Sequence, residues 1–188
     1  MSLLTKDMHK SDIEKFLEGK GDFVKIDYLT RYIKIMPPIE MRKFAYLKLA
    51  EIYMGKEMYV DAAMAFKNAG VNSVSFKEKQ ENFLDEARAY ISGGKFDDAD
   101  KALRRGMDEG NAREKEVLYK DILEDYKKEA EKLEKLGKHG SLVKLYEKML
   151  RLKFSDAEHA DIKEKLLKLY DKLGKIKEAK ILKEIGRV

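Results

Sequence analysis

Apolar side chains recur at helical spacing along nearly the whole chain, and short polar or glycine-bearing breaks separate the runs. The clearest stretch is residues 38–70. Pro38 can open a helix, because a missing N–H costs nothing in the first turn. From Phe44 onward Leu47, Leu49, Ala50, Ile52 and Tyr53 follow a helical pattern. Gly55-Lys56 interrupts it, and a glycine there is expected to close the helix in the left-handed conformation. A second run follows with Tyr59, Ala62, Ala63, Phe66 and Ala69, and Gly70 stops it. Small residues stand where two helix backbones must approach, and aromatics fill the remaining space. The stretch therefore predicts two antiparallel helices joined by a short turn.

The same punctuation runs through the rest of the chain. Ser11-Asp12-Ile13-Glu14 reads as a capping box, with Ile13, Phe16 and Leu17 inward and a stop by Gly19 or Gly21. Asp22 can cap a helix carrying Phe23, Ile26, Leu29, Tyr32, Ile33 and Met36. Pro37-Pro38 ends it, since a residue before proline disfavours the helical region. Ser75-Phe76-Lys77-Glu78 is a second box. Asn111 can cap a long helix over Ala112–Leu136, which Gly137 breaks, and another helix is expected over Ser141–Lys153. Ser155-Asp156-Ala157-Glu158 is a third box. The hairpins predicted are 8–36, 38–70, 75–108, 111–153 and 155–186, about ten helices in one all-α domain over 1–188.

Tyr46-x2-Leu49-Ala50-x2-Tyr53, then Tyr59, Ala62-x3-Phe66 and Ala69, resembles the tetratricopeptide repeat. The family's trailing proline is absent, since Val71-Asn72-Ser73 follows. The pattern returns at Phe83, Ala87, Tyr90, Gly94, Phe96, Ala99 and Leu103, an offset of 37 residues, against about 34 in the family. Glu86 replaces the leucine. Tyr126, Ala130, Leu133, Gly137, Leu142 and Tyr146 keep the spacing in the fourth hairpin, and Leu167, Tyr170, Gly174, Ile176 and Ala179 in the fifth. Lys163 stands there where an aromatic is expected. The first hairpin matches poorly, as terminal repeats often do because one face meets water. Helical adaptors of the SNAP type, which act in vesicle fusion, would look similar. The resemblance implies antiparallel hairpins stacked as a right-handed superhelix.

Composition narrows the classes. A chain of 188 residues is long enough to bury a core without staples. It has no Cys, hence no disulfide framework and no thiolate metal site, which suits a reducing cytoplasm. No signal peptide is evident, and no apolar run approaches the ~18 residues of a membrane span. Charged residues are 40% of the chain, yet the net charge is +5, with both signs interspersed as on solvated helix faces.

Candidate chemistry is sparse. His9, His139 and His159 show no i, i+4 metal pairing. Gly93-Gly94-Lys95 lies between two helical patterns and lacks the strand and Ser/Thr of a phosphate loop. Asp97, Asp98 and Asp100 open a helix, where acids favour the N-terminal dipole, and no calcium-loop pattern follows. No acid–base or nucleophile set rises above background. The expectation is a chain without enzymatic activity and without a metal or cofactor.

Charge separates by helix in the C-terminal half. Residues 138–153 carry five basic residues and one acid, 154–171 carry five acids and three basics, and 172–188 carry six basics and two acids. The second helices of these hairpins are thus basic, with Lys144, Lys148, Arg151, Lys180 and Lys183 forming a basic face. The family's groove spacing implies a concave side presenting Leu47, Glu51, Met54, Leu84, Arg88 and Ile91, then Lys127, Glu131, Glu134 and Lys168. The Lys and Asn set with which some family members clamp a C-terminal carboxylate is missing from it, so an acidic chaperone tail is not expected. The first part of this list is an apolar floor suited to a peptide or helix. It is equally suited to cover by the protein's own first hairpin or by a second copy in a homo-oligomer. The function expected is a protein–protein interaction scaffold. The alternative is a nucleic-acid- or anionic-surface-associated protein using the basic helices, with nucleic acid the less favoured partner.

Overall fold

A computed structural model of the protein describes residues 4–184. Ten α-helices and, among those residues, no strand make up the fold. They are α1 (Lys10–Leu17), α2 (Asp22–Lys34), α3 (Ile39–Gly55), α4 (Tyr59–Val71), α5 (Phe76–Ser92), α6 (Phe96–Asp108), α7 (Ala112–Lys135), α8 (His139–Met149), α9 (Asp156–Lys172) and α10 (Ile176–Glu184). Two compact units divide the chain, Met1–Ile122 and Leu123–Val188, with the boundary inside α7. In the first unit α2 packs on α3, α3 on α4, α4 on α5 and α5 on α6. In the second, α9 packs on both α8 and α10.

One local device recurs at four helix-to-helix turns. Glu57, Gly94, Gly137 and Gly174 all have φ between 57° and 68°. Their amides donate three residues back, to the carbonyls of Met54, Ile91, Glu134 and Asp171. The next amides, of Met58, Lys95, Lys138 and Lys175, donate five residues back to Tyr53, Tyr90, Leu133 and Tyr170 at 2.8–3.0 Å. This pair of bonds satisfies carbonyls that the helix end leaves free. The carbonyls of those same four residues then accept the first bond of the following helix, from Ala62, Ala99, Leu142 and Ala179. Each turn is thus three residues long with one left-handed residue at its centre, and the hairpins repeat in geometry as well as in sequence.

Three expectations need correcting, the first being that Asp22 caps α2: it is the first residue of that helix, and Gly21 stands at the N-cap. Gly55 does not close α3 in the left-handed conformation; it is the last residue of the helix, and Glu57 takes the positive φ. Glu57 lies two residues beyond the glycine and donates to the Met54 carbonyl, and Met58 makes the bond back to Tyr53. Ser11 does not cap α1 either. That helix starts at Lys10, and the Asp12 carboxylate accepts from the His9 amide at 3.0 Å. Glu14, the other half of the expected box, pairs with Lys48 of α3 at 3.0 Å instead.

Ser75 and Ser155 do cap α5 and α9. The Ser155 box is complete, with the Glu158 carboxylate accepting from the Ser155 amide at 2.8 Å. Asn111 forms a further complete box, its Oδ1 accepting from Glu114 N–H while Glu114 accepts from Asn111 N–H.

The core of the first unit joins the first hairpin to α3. Ile13, Leu17, Leu29 and Tyr32 pack with Ala45, Leu49, Ala50 and Ala65. Helix α5 is the most enclosed, with nine buried residues, while Lys77, Glu81, Asp85 and Arg88 mark a face that solvent still reaches. Gly70 marks its closest approach to α4: a Cβ there would stand 2.8 Å from the Phe83 ring. The buried polar Asn82 is satisfied by donating to Ser73 Oγ at 3.1 Å and to the Glu78 carbonyl at 2.8 Å. In the second unit Tyr126, Leu142, Leu145, Tyr146, Met149 and Leu166 are the most deeply buried large side chains.

Candidate interaction surfaces

The residues assigned to a concave side divide sharply. In the first unit Leu84 and Ile91 are buried, 6% and 3% exposed, and so present no groove floor. They lie on the part of α5 that its neighbouring helices cover. Leu47, Met54 and Arg88 are half-buried, and Arg88 pairs with Asp85 at 2.9 Å. Glu51 is exposed and borders a groove of about 670 Å³ between the first hairpin and α3, with Glu14, Asp22 and Lys48 also on its lining. Two ion pairs hold that hairpin down, Lys48 to Glu14 and Lys56 to Asp22, both at 3.0 Å.

In the second unit Lys127, Glu131 and Glu134 come together. They line a groove of about 330 Å³ between α7 and α9, facing Asp161 and Lys165 over a floor that includes Ala130, Met149 and Ile162. Lys127 is held at 2.6 Å by both Glu124 and Glu158 and lies 5.7 Å from the centre of the Phe154 ring. Those carboxylates hold the Lys127 ammonium charged to higher pH than usual. The Lys127 contact, helped by bonds from Ser155, pulls the Glu158 carboxyl down to about 2. Glu134 accepts from the buried Tyr146 hydroxyl. Burial and that carboxylate together push the Tyr146 phenol well above its ordinary range. Lys168 lies apart from this groove, exposed and paired with Glu164.

The basic residues expected on second helices are reached by solvent. Lys144, Arg151, Lys180 and Lys183 are exposed, and Lys148 is half-buried. Arg151 also borders a larger groove, about 740 Å³, bounded by α8 and α10 and floored by α9. Its apolar lining is Leu150, Leu166, Ile181 and Leu182, and its polar lining includes Glu147, His159, Lys163 and Glu178. The Tyr170 hydroxyl donates to Glu147 at 2.7 Å. His159 Nε2 lies 2.9 Å from the Leu152 carbonyl, which can only accept, so Nε2 carries the proton.

Sequence reasoning missed this groove and one buried ion pair, and in both cases a departure from the repeat was the signal. Lys163, where an aromatic was expected, lines the groove. Glu86, where the repeat has leucine, is fully buried and bonded by Arg105 of α6. Burial raises the Glu86 pKa, and the Arg105 charge opposes that rise. Arg105 also lies 5.8 Å from the centre of the Phe83 ring. A large cation on α6 thus finds both a counter-ion and an aromatic face inside the α5–α6 hairpin.

Among the described residues, no helix is long and apolar enough to cross a membrane. No family model, curated protein or solved structure matches the chain.

Proposed function

We propose that the chain is a non-catalytic protein–protein interaction scaffold of tetratricopeptide-like hairpins. In this reading the hairpins stack in the family's right-handed sense, the first helices face the partner, and the setting is the cytoplasm. The four matching turns support the repeat, and a repeated hairpin makes an extended surface because each unit contacts mainly its neighbours.

The observation that carries the reading is the groove between α7 and α9. Lys127, Glu131 and Glu134, spaced i, i+4 and i+7 along α7, meet Asp161 and Lys165 of α9 across a small apolar floor. Most of these charges are already engaged: Lys127 by two carboxylates, Glu134 by a hydroxyl, and Asp161 by Lys165 at 3.0 Å. Glu131 is exposed and supplies the surplus negative charge. The ligand that fits is a peptide with a basic residue beside a small apolar one.

Panning a random peptide library on the full chain tests this. Enriched peptides are expected to carry Lys or Arg and to bind the Glu131→Lys/Asp161→Lys variant about tenfold more weakly. Equal binding to that variant would remove the groove from the proposal.

A further inference from the structure

The groove bounded by α8 and α10 has chemistry of its own. Its lining is aliphatic across floor and walls, with Leu166 on α9, Leu150 at the end of α8, and Ile181 and Leu182 on α10. Ile181 is 57% exposed, a large aliphatic group left to solvent. The rim carries both signs, but not in the same state. Glu147 already accepts the Tyr170 hydroxyl at 2.7 Å, and Glu178 lies 3.9 Å from Lys175. Arg151 and Lys163 have no side-chain partner among the described residues. Each anion therefore has a neighbouring donor or cation, a hydroxyl for Glu147 and a loosely placed ammonium for Glu178. The two cations have none and are the groups left to meet a ligand's carboxylates. Lys144, about one turn before Glu147 on α8, is exposed and adds to the same sign.

We propose that this groove receives an acidic amphipathic helix of a partner protein, a second docking surface separate from the α7–α9 groove. The occupant places its apolar stripe on the aliphatic lining and its carboxylates on Arg151 and Lys163. A helix fits better than an extended peptide for a backbone reason. The walls are themselves helices, whose N–H and C=O groups are bonded internally. An extended segment would be buried with no backbone partners, whereas a helix satisfies its own. The dimensions agree. Walls of eleven and nine residues are about 16 and 13 Å long at 1.5 Å per residue, room for about three helical turns.

The test uses the full chain and a fluorescein-labelled helical peptide of about 14 residues, with leucines on one face and glutamates flanking them. Fluorescence anisotropy is expected to show binding that the Arg151→Glu/Lys163→Glu variant weakens about tenfold or more. A peptide with lysines in place of the glutamates should then prefer that variant, a reversal that loss of folding cannot produce. Ile181→Asp should also weaken the acidic peptide, while Glu131→Lys/Asp161→Lys leaves it unchanged. Should the double reversal unfold, Arg151→Gln/Lys163→Gln replaces it, with the same direction expected. The proposal is overturned by equal binding to wild type and charge variant, or by no peptide binding. It is also overturned if only an RNA oligomer occupies the site, or if sedimentation shows a dimer that Ile181→Asp dissociates.

Discussion

Glu57 occupies a backbone position that three glycines fill elsewhere, and its replacement measures what the turn requires. Its φ is 57°, and no side-chain bond holds it there among the described residues. An L residue in the left-handed region pays about 1–2 kcal/mol. Glycine pays nothing there but loses about 0.5–1 kcal/mol more entropy on folding. The net expectation for Glu57→Gly is a gain of about 1 kcal/mol, or roughly 3 °C in melting temperature for a chain of this size. Glu57→Gln keeps the Cβ and removes only an acid from a helix C-terminus, so it should gain about 0.3 kcal/mol. The reverse change is available at Gly94, where φ is 67° and an added Cβ would meet nothing within 4 Å. Gly94→Ala should therefore cost about 1 kcal/mol from the dihedral alone. Gly55 supplies the opposite sign: it has helical geometry and equally open surroundings, so Gly55→Ala should gain about 0.5–1 kcal/mol. Circular-dichroism melts of the four variants decide it. Gly55→Ala and Gly94→Ala shifting in the same direction, or Glu57→Gly melting lower than wild type, would refute the account of the turn.

Three further outcomes are expected. Gly70→Ala should cost about 1–3 kcal/mol in denaturant unfolding, because its Cβ would press on the Phe83 ring inside a packed crossing. Arg105→Met should cost about 3 kcal/mol by stranding the buried Glu86 carboxylate, and adding Glu86→Leu should recover most of it, since two apolar groups then replace a desolvated pair. The Glu158 carboxyl is depressed in the folded state to about 2. Its contribution is therefore present above its unfolded pKa, near 4.3, and disappears as pH falls through 2. Discounted for solvent screening it is about 0.5 kcal/mol at pH 7, so the melts of wild type and Glu158→Gln should differ at pH 7 and coincide by pH 2.

Leu84→Glu illustrates how the candidate site was legible only in part. By family spacing Leu84 belongs to an open floor, and its replacement would probe partner capture. Buried on α5, the same replacement instead puts a charge into the core and unfolds the unit. The same spacing named Lys127, Glu131 and Glu134, which line one groove. It could not say which of the implied positions a neighbouring helix would cover.

The order of helices, their breaks and the 37-residue recurrence could be read directly from the amino acids. These depend on local causes: apolar periodicity along one helix, a hydroxyl or carboxamide at an N-terminus, a glycine where the backbone turns left-handed. Tertiary structure alone decided that Glu57 makes the turn expected of Gly55, that Glu86 is tolerated because Arg105 meets it, and that Arg151 and Lys163 share a rim. Those outcomes rest on which side chains, distant along the chain, exclude water from one another. Burial of that kind belongs to the packed helices together, and no single segment encodes it.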